Sequence, residues 1–186
     1  MNIMIVGVGG QGTLLTSRII GNTALAAGLD VKISEVHGMA QRGGSVVTFV
    51  RFGEEVREPV VEEGCADVLI AFERLEALRY AHYLKADGVL VVNDCRIDPM
   101  TVVTGARSYP EGIVDTLAAR HTLHTLDAGA VAAELGNPKV LNSALLGFAA
   151  RHIGFAADLW LEVLKGTVPP KTVDINMRAF MRGYEA

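Results

Sequence analysis

The sequence predicts an α/β protein with a Rossmann-like, doubly wound and mostly parallel sheet that carries helices on both faces. Short apolar runs typical of buried strands alternate with helical segments along the chain. A glycine-rich turn follows the first strand and opens the first helix. The chain has 186 residues, of which 50% are hydrophobic, and this length suits one domain with a substantial core.

The first half of the chain supplies most of the expected sheet. The residues around 46–57 have strand patterning without a helix-length crossover, so a short antiparallel pair is expected there. Gly28 suits the end of the first helix. We predict strands at residues 3–6, 31–36, 45–52 and 67–72, and helices at residues 11–29 and 74–84.

The second half is expected to be mainly helical. Pro169 and Pro170 suit the start of a C-terminal helix or arm that spans residues 169–186. No low-complexity linker divides the sequence, so we expect a single domain over residues 1–186. We predict strands at residues 89–92 and 122–126, and helices at residues 110–120, 128–135, 142–153 and 158–164.

Composition argues against several classes of protein. The net charge of −4 gives no basic footprint for nucleic acid. Cys65 and Cys95 are the two cysteines, and an iron–sulfur cluster needs about four thiolates, so both are interpreted as small hydrophobic residues. The N-terminus opens directly into a strand pattern, and no apolar run reaches the roughly 18 residues of a membrane span. We therefore expect a soluble, cytoplasmic protein that binds neither nucleic acid nor membrane.

The first motif is Gly7-Val8-Gly9-Gly10-Gln11-Gly12, which satisfies G-x-G-x-x-G through its first, third and sixth residues. One interpretation is a dinucleotide site, in which the turn accepts a phosphate and Glu35 receives a ribose hydroxyl. The other is a tight strand-to-helix turn that needs glycines for conformation and close packing whether or not anything binds. The pattern alone leaves both interpretations open.

The second motif is the run His-Gly-Met-Ala-Gln-Arg-Gly-Gly at residues 37–44. Together with the Gly-Gln-Gly of the first turn, it resembles the gamma-type domain of 2-oxoacid:ferredoxin oxidoreductases, most closely the small subunits of the indolepyruvate-type enzymes. Residues 66–73 and 76–79 extend the resemblance, which covers most of the chain and is strongest from Gly7 to about Asp94.

The resemblance implies a cofactor-free subunit with no activity alone. Enzymes of this family decarboxylate a 2-oxoacid oxidatively with coenzyme A, giving an acyl-CoA, carbon dioxide and reduced ferredoxin. Thiamine diphosphate, Mg²⁺ and [4Fe-4S] clusters are expected on a larger partner subunit, and this chain lacks the Gly-Asp-Gly and Asn-Asn signature of a thiamine domain. Pyruvate, branched-chain 2-oxoacids and 2-oxoglutarate stay open as substrates. A free-standing NAD(P)-dependent oxidoreductase and a non-catalytic assembly module are the alternative functions.

The candidate contact residues lie in the two glycine-rich loops, which are expected at the carboxyl ends of adjacent parallel strands. Arg42 offers a planar fork of donors for a phosphate or carboxylate of coenzyme A or substrate, or for an acidic partner such as Glu35. The residues expected to contact the partner or coenzyme A are Gly7, Gly9, Gly10, Gln11, Gly12, His37, Gln41, Arg42, Gly43 and Gly44.

No catalytic or metal-binding residue is assigned from the sequence. His37 has no readable acid–base partner, and Cys95 has no identifiable base beside it. His121 and His124, with Asp127, invite a metal interpretation, but strand residues three apart point to opposite faces.

Overall fold

The structure is a computed structural model that describes residues 1–38 and 43–186. It confirms the α/β class. The strands are β1 Asn2–Val8, β2 Asp30–His37, β3 Ser45–Gly53, β4 Ala66–Ala71, β5 Leu84–Asn93 and β6 Thr122–Leu126. The helices are α1 Thr13–Ala26, α2 Arg74–Tyr80, α3 Met100–Val103, α4 Ile113–Ala118, α5 Ala128–Glu134, α6 Leu141–Ala150, α7 Ala157–Thr167 and α8 Val173–Tyr184. Short 3₁₀ turns cover Ala81–Tyr83, Pro138–Val140 and Pro170–Thr172.

The six strands form one sheet in the order β2-β3-β1-β4-β5-β6. Strands β1, β4, β5 and β6 are parallel, whereas β3 is antiparallel to both of its neighbours, β1 and β2. The antiparallel segment expected near residues 46–57 is therefore confirmed. The expectation that the first two predicted strands are adjacent is wrong, because β3 lies between them.

Burial explains the position of the β2–β3 hairpin. Strand β3 is apolar on both faces and mostly buried, which suits an interior strand. Strand β2 leaves most of its residues partly or fully exposed, which suits the edge of the sheet. The β2–β3 hairpin therefore joins the sheet with β3 in the interior and β2 at the edge. Strands β1 and β2 still run in the same direction, so their carboxyl ends share one edge of the sheet.

Each face of the sheet has its own hydrophobic core, because successive strand residues point to opposite faces. Ile3 and Ile5 of β1 pack with α1 and with the C-terminal helices from α5 onward. Met4 and Val6 of the same strand pack with α2 and α4 on the other face. The expectation of helices on both faces is confirmed.

Helices α6 and α8 cross with their backbones in direct contact. A Cβ atom on Gly147 would lie 1.9 Å from the carbonyl oxygen of Phe180, and one on Gly183 would lie 1.9 Å from that of Ala144. Residues 173–184 of the C-terminal segment thus form a helix whose Phe180 is fully buried in the core.

Trp160 of α7 occupies the centre of this helical layer. It is fully buried and lies between Phe155 and Phe180, with ring centroids 5.8 and 6.1 Å away. Its indole Nε1 has no hydrogen-bond partner within residues 1–38 and 43–186. Across the same residues, no helix has both the length and the hydropathy that a bilayer crossing requires.

Candidate functional site

The first glycine-rich turn joins β1 to α1 at the carboxyl edge of the sheet. Gly12 is the N-cap of α1 with φ +91°, and a Cβ atom there would lie 2.7 Å from Nδ2 of Asn142. Gly7 is packed so closely that its Cβ would lie 2.9 Å from that of Phe72. Gly10 has φ +105° and faces open space. The turn therefore uses its glycines for conformation and close approach, and presents Gly10 outward.

Gln11 fastens the turn to the neighbouring strand. Its Oε1 accepts a hydrogen bond from the Val8 N–H at 2.7 Å, and its Nε2 donates to the carbonyl oxygen of Phe72 at 2.9 Å. The same carbonyl accepts from Asn93 Nδ2 and from the Cys95 thiol, each at 3.1 Å. These bonds connect the carboxyl ends of β1, β4 and β5. The hydrogen-bond partners that the structure shows for the Gln11 side chain thus lie within the chain.

The Cys95 thiol contributes to this network as a protonated group. Burial and the nearby Glu73 carboxylate raise the pKa of the thiol to about 11. A thiol that ionises so poorly is a weak nucleophile.

The second glycine-rich loop is joined to the first turn by backbone hydrogen bonds. The Gly9 N–H donates to the Gly44 carbonyl oxygen at 2.8 Å, and the Gly43 N–H donates to that of Gly9 at 3.4 Å. The two sequence motifs therefore meet at one place, as expected. Gln41 and Arg42 lie outside the described residues, so the alternatives for Arg42 stay predictions.

His37 and Glu35 flank the start of that loop on the edge strand. His37 is exposed, and its Nδ1 lies 3.1 Å from the Gly38 carbonyl oxygen. Glu35 accepts a hydrogen bond from the Thr48 hydroxyl at 3.3 Å. Both side chains face solvent beside the turn.

A buried carboxylate anchors the other end of the loop. The Ser45 hydroxyl donates to Glu76 Oε2 at 2.5 Å and lies 3.2 Å from the Tyr80 hydroxyl oxygen. Burial is the largest influence on Glu76 and raises the pKa of its carboxyl group, with Glu73 acting in the same direction. Arg79 lies 3.3 Å away and opposes that shift. Sequence reasoning missed this anchor, although two glutamates directly after an apolar strand were an available signal.

Glu73 organises the adjoining segment at the ends of β4 and β5. Its side chain caps α2 by accepting from the Glu76 N–H at 3.0 Å, and it also accepts from the Tyr109 hydroxyl at 2.5 Å. Burial and this carboxylate together raise the pKa of Tyr109 well above its usual value. Arg96 stacks on the Tyr109 ring at 4.3 Å, and Arg74 pairs with Asp94 at 2.5 Å. The polar groups in these contacts have partners within the chain, and the contacts support the ends of β4 and β5.

Two cavities flank the first turn and share Gly10 and Gly12. The first, the Glu35 cavity, has a volume of about 370 Å³ and is lined by Gly9, Gly10, Gly12, Thr13, Leu14, Glu35, His37 and Val46. The second, the Lys139 cavity, has a volume of about 350 Å³ and is lined by Gly10, Gln11, Gly12, Pro138, Lys139, Leu141 and Asn142. Lys139 and Asn142 were not among the residues that the sequence suggested.

The topology weakens the dinucleotide interpretation of the turn. In dinucleotide-binding folds the acidic residue that contacts the ribose ends the strand next to β1. Here β3 occupies that place, and the strand that carries Glu35 lies two strand spacings, or roughly 10 Å, from β1. The glycine pattern is accounted for by the conformation of Gly12, the packing of Gly7 and the approach of Asn142.

Comparison with known proteins gives consistent matches over the full length. A family model described as pyruvate ferredoxin/flavodoxin oxidoreductase matches residues 2–186. Indolepyruvate oxidoreductase subunit IorB of Thermococcus kodakarensis is 44% identical over 192 residues, which cover 100% of this chain and 95% of that protein. Subunits of 2-oxoglutarate synthase and pyruvate synthase from Methanothermobacter species are 28–31% identical and cover 96–98% of this chain and 91–94% of theirs.

Solved structures show the same fold. Pyruvate oxidoreductase subunit PORC of Thermotoga maritima has a TM-score of 0.75 at 24% identity, covering 100% of this chain and 95% of that one. The 2-oxoglutarate:ferredoxin oxidoreductase of Magnetococcus marinus, described with 2-oxoglutarate, coenzyme A and succinyl-CoA bound, has a TM-score of 0.73 at 19% identity. The match covers 100% of this chain and 30% of that chain.

Proposed function

The chain belongs to the pyruvate ferredoxin/flavodoxin oxidoreductase family, and from that premise we propose that it is the small subunit of an indolepyruvate-type 2-oxoacid:ferredoxin oxidoreductase. The observation that carries the substrate class is the 44% identity to an indolepyruvate oxidoreductase subunit over nearly the whole of both chains. Identities to the pyruvate and 2-oxoglutarate synthase subunits are lower by more than ten percentage points.

The complex would decarboxylate its 2-oxoacid with coenzyme A as the acyl acceptor and ferredoxin as the electron acceptor. We assign thiamine diphosphate, Mg²⁺ and the [4Fe-4S] clusters to a larger partner subunit. Cys65 and Cys95 are the two cysteines of this chain, and both are free thiols, whereas a [4Fe-4S] cluster takes four thiolate ligands. We place the complex in the cytoplasm, where free thiols stay reduced.

This chain would supply positioning and enclosure as one gamma-type domain over residues 1–186. The joined loops present Gly10 outward and leave two cavities beside the turn, which suits a surface that receives a partner subunit and a cosubstrate. Gly7 and Gln11 also shape the turn, and Gln11 lines the Lys139 cavity. The proposed contacts with the partner subunit or coenzyme A are Gly7, Gly9, Gly10, Gln11, Gly12, His37, Gln41, Arg42, Gly43 and Gly44.

Co-expression with the larger subunit tests the function. The purified complex is expected to contain iron and thiamine and to reduce ferredoxin in the presence of coenzyme A. Indolepyruvate should be preferred over pyruvate, branched-chain 2-oxoacids and 2-oxoglutarate. The chain alone is expected to be colourless and inactive. Tight binding of a nicotinamide nucleotide by the isolated chain, with unaided reduction of a substrate, would refute the proposal.

Arg42→Ala tests the second loop in the same complex. If Arg42 contacts coenzyme A, the KM for coenzyme A rises, and if it contacts the partner, the affinity between subunits falls. Arg107→Ala is the control, because Arg107 is exposed and lines neither cavity beside the turn. If neither the KM for coenzyme A nor the affinity between subunits changes, Arg42 is not part of the contact surface.

A further inference from the structure

Strand β2 forms one edge of the sheet and lacks the features that usually prevent an edge strand from pairing. Its eight residues keep an unbroken register with β3, and neither a proline nor a bulge interrupts Asp30–His37. The strand at the opposite edge, β6, has only five residues. On β2, Ile33 and Val36 are 41% and 55% exposed. A long, regular edge strand with exposed apolar side chains is a template for pairing with another chain.

The hydrogen-bond pattern of the neighbouring strands shows which residues of β2 face the free edge. Met1 and Phe52 exchange two backbone hydrogen bonds, of 2.6 and 3.0 Å, so the N–H and C=O groups of Phe52 point towards β1. Val31 lies opposite Phe52 on the other side and is therefore not bonded to it. Bonded and non-bonded pairs alternate along an antiparallel ladder. Every second residue from Val31 to His37 thus directs its backbone N–H and C=O groups to the free edge.

Charge and strand length limit how two copies of β2 can pair antiparallel about a two-fold axis. The axis must pass beside one residue, which then lies opposite its own copy, because bonded and non-bonded pairs alternate along the ladder. An axis at Lys32 or Glu35 would oppose like charges, which is destabilising. An axis at Ile33 would place the outward-facing His37 opposite Leu29, beyond the end of the other copy's β2.

An axis at Ser34 avoids both problems. It opposes Val31 with His37 and Ile33 with Glu35, so every outward-facing residue of β2 belongs to a pair that exchanges two backbone hydrogen bonds. No two side chains of like charge are opposed within the strand. The sequence of β2 is therefore self-complementary in this register, which is what an interface between identical copies requires.

Helix α1 extends the same surface on one face of the sheet. It packs against β2 so closely that a Cβ atom on Gly21 would lie 2.6 Å from Cδ1 of Ile33. Leu14 and Leu25 of α1 are 45% and 56% exposed. Leu14 lies beside His37 at the end of β2, and Leu25 lies near the start of β2. Since antiparallel pairing sets the start of one β2 beside the end of the other, Leu25 of one copy approaches Leu14 of its partner.

We propose that two copies of this chain associate through β2 about a two-fold axis at Ser34. The two sheets then form one continuous sheet, and the α1 helices of both copies lie side by side on one face. Lys32 does not oppose this pairing, because its ammonium group is held by Asp30 of the same strand at 2.8 Å. The association involves none of the groups that carry the chemistry of the complex, so it stands apart from the proposed function.

A disulfide tests the register, both in the full chain alone and in its complex with the larger subunit. At the axis the two Ser34 Cα atoms would lie about 4.5 Å apart, as in any non-bonded antiparallel pair, which is within disulfide range. Ser34→Cys should therefore yield a disulfide-linked dimer on mild oxidation. Val36→Cys is the matched control. It lies on the same face of β2 and is more exposed, but its two copies would be roughly 13 Å apart along the strands.

Proline at position 35 tests the hydrogen bonds between the copies. The Glu35 N–H faces the free edge, so Glu35→Pro removes a donor to the other copy and leaves the bonds to β3 in place. Glu35→Ala is its control, because it loses the same side chain but keeps the N–H. Sedimentation equilibrium should show a dimer dissociation constant about 10-fold or more higher for Glu35→Pro than for Glu35→Ala, since each dimer loses two donors.

The expected result is a disulfide in Ser34→Cys at far higher yield than in Val36→Cys, together with the weaker dimer of Glu35→Pro. A wild-type chain that is monomeric at every soluble concentration, or equal disulfide yields in the two cysteine variants, would overturn the pairing. So would a Ser34→Cys chain that links only to the larger subunit, which would assign β2 to that interface. If circular dichroism shows that Glu35→Pro does not fold, the two cysteine variants decide.

Discussion

The glycines of the first turn and those at the α6–α8 crossing have different structural roles. Gly10 and Gly12 of the first turn adopt positive φ angles and border the two cavities. Gly147 and Gly183 lie inside helices and let α6 and α8 touch backbone to backbone. The turn attracts attention in the sequence because its spacing matches a known motif. The helical pair matches no motif, yet it leaves less room for a side chain.

A glycine that belongs to a recognised motif is not necessarily at a position that tolerates a side chain poorly. At Gly10 a methyl group would meet nothing within 4 Å, so the expected cost is that of backbone conformation alone. At Gly147 a methyl group would overlap a backbone carbonyl, which cannot move aside as a flexible side chain can. Motif glycines are thus not always the ones that the fold tolerates least.

The largest expected effect is at the helix crossing. Gly147→Ala should lower the free energy of unfolding by about 3 kcal/mol or more, because α6 and α8 must separate to admit the methyl group. Gly166→Ala in α7 is the control, since no atom lies within 4 Å of its Cβ, and it should stabilise the chain by roughly 0.5–1 kcal/mol. Urea denaturation measures both. Equal stabilities of the two variants would contradict the described crossing.

The next prediction concerns the rigidity of the turn. With a pKa of about 11, the Cys95 thiol should react with iodoacetamide at pH 8 about 100-fold more slowly than an ordinary cysteine in a peptide. Mass spectrometry after timed alkylation of the native chain measures the rate. Gln11→Ala removes the bonds between the turn and Phe72 and should accelerate the reaction. Rapid labelling of wild-type Cys95 would show that the turn opens readily.

Gly12→Ala should cost less than Gly147→Ala but more than Gly10→Ala. All residues but glycine pay about 1–2 kcal/mol for a left-handed backbone, and Gly12 also has Asn142 in the way. We expect a loss of roughly 2–3 kcal/mol for Gly12→Ala and roughly 1–2 kcal/mol for Gly10→Ala. Combining Gly12→Ala with Asn142→Ala should recover at least about 0.5 kcal/mol relative to additivity. Strict additivity in denaturation would rule out the contact.

The smallest effect is expected where the second loop is anchored. Because burial raises the pKa of Glu76 in the folded chain, its stabilising contribution is complete at low pH, below the ordinary carboxyl pKa. That contribution is lost as the pH rises through the raised pKa. Glu76→Gln keeps an acceptor for Ser45 without the charge, so it should gain up to about 1 kcal/mol over wild type at pH 7 and nothing near pH 3. Denaturation at both pH values measures this. A constant difference would exclude the carboxyl group as its source.

The sequence predicted the strands and helices well, but not how the strands are arranged. The strand spacing identified the run that became β3, yet hydrophobic pattern does not say which strand it pairs with. Strand β5 begins at Leu84 rather than residue 89, because Lys85 and Asp87 break the apolar pattern that the prediction followed. The short helix α3 was missed, since its four residues bury no side chain and leave no periodic signal.

The candidate site was predicted only where it is local in sequence. The two glycine loops were expected to meet, and the Gly9 and Gly44 bond joins them. Lys139 and Asn142 reach the turn from about 130 positions away, through the packing of α6 against the sheet. One signal was present: Asn142 is a polar residue in the first turn of a helix that is otherwise mostly apolar.

The burial of Trp160 gives the chain a built-in spectroscopic reporter. It is the single tryptophan, it is enclosed by aromatic and aliphatic groups, and its indole nitrogen has no partner among the described residues. An indole in such a nonpolar environment emits at shorter wavelength than one in water. The fluorescence maximum should therefore shift to longer wavelength when the α7–α8 layer loosens, so this layer can be monitored without a label.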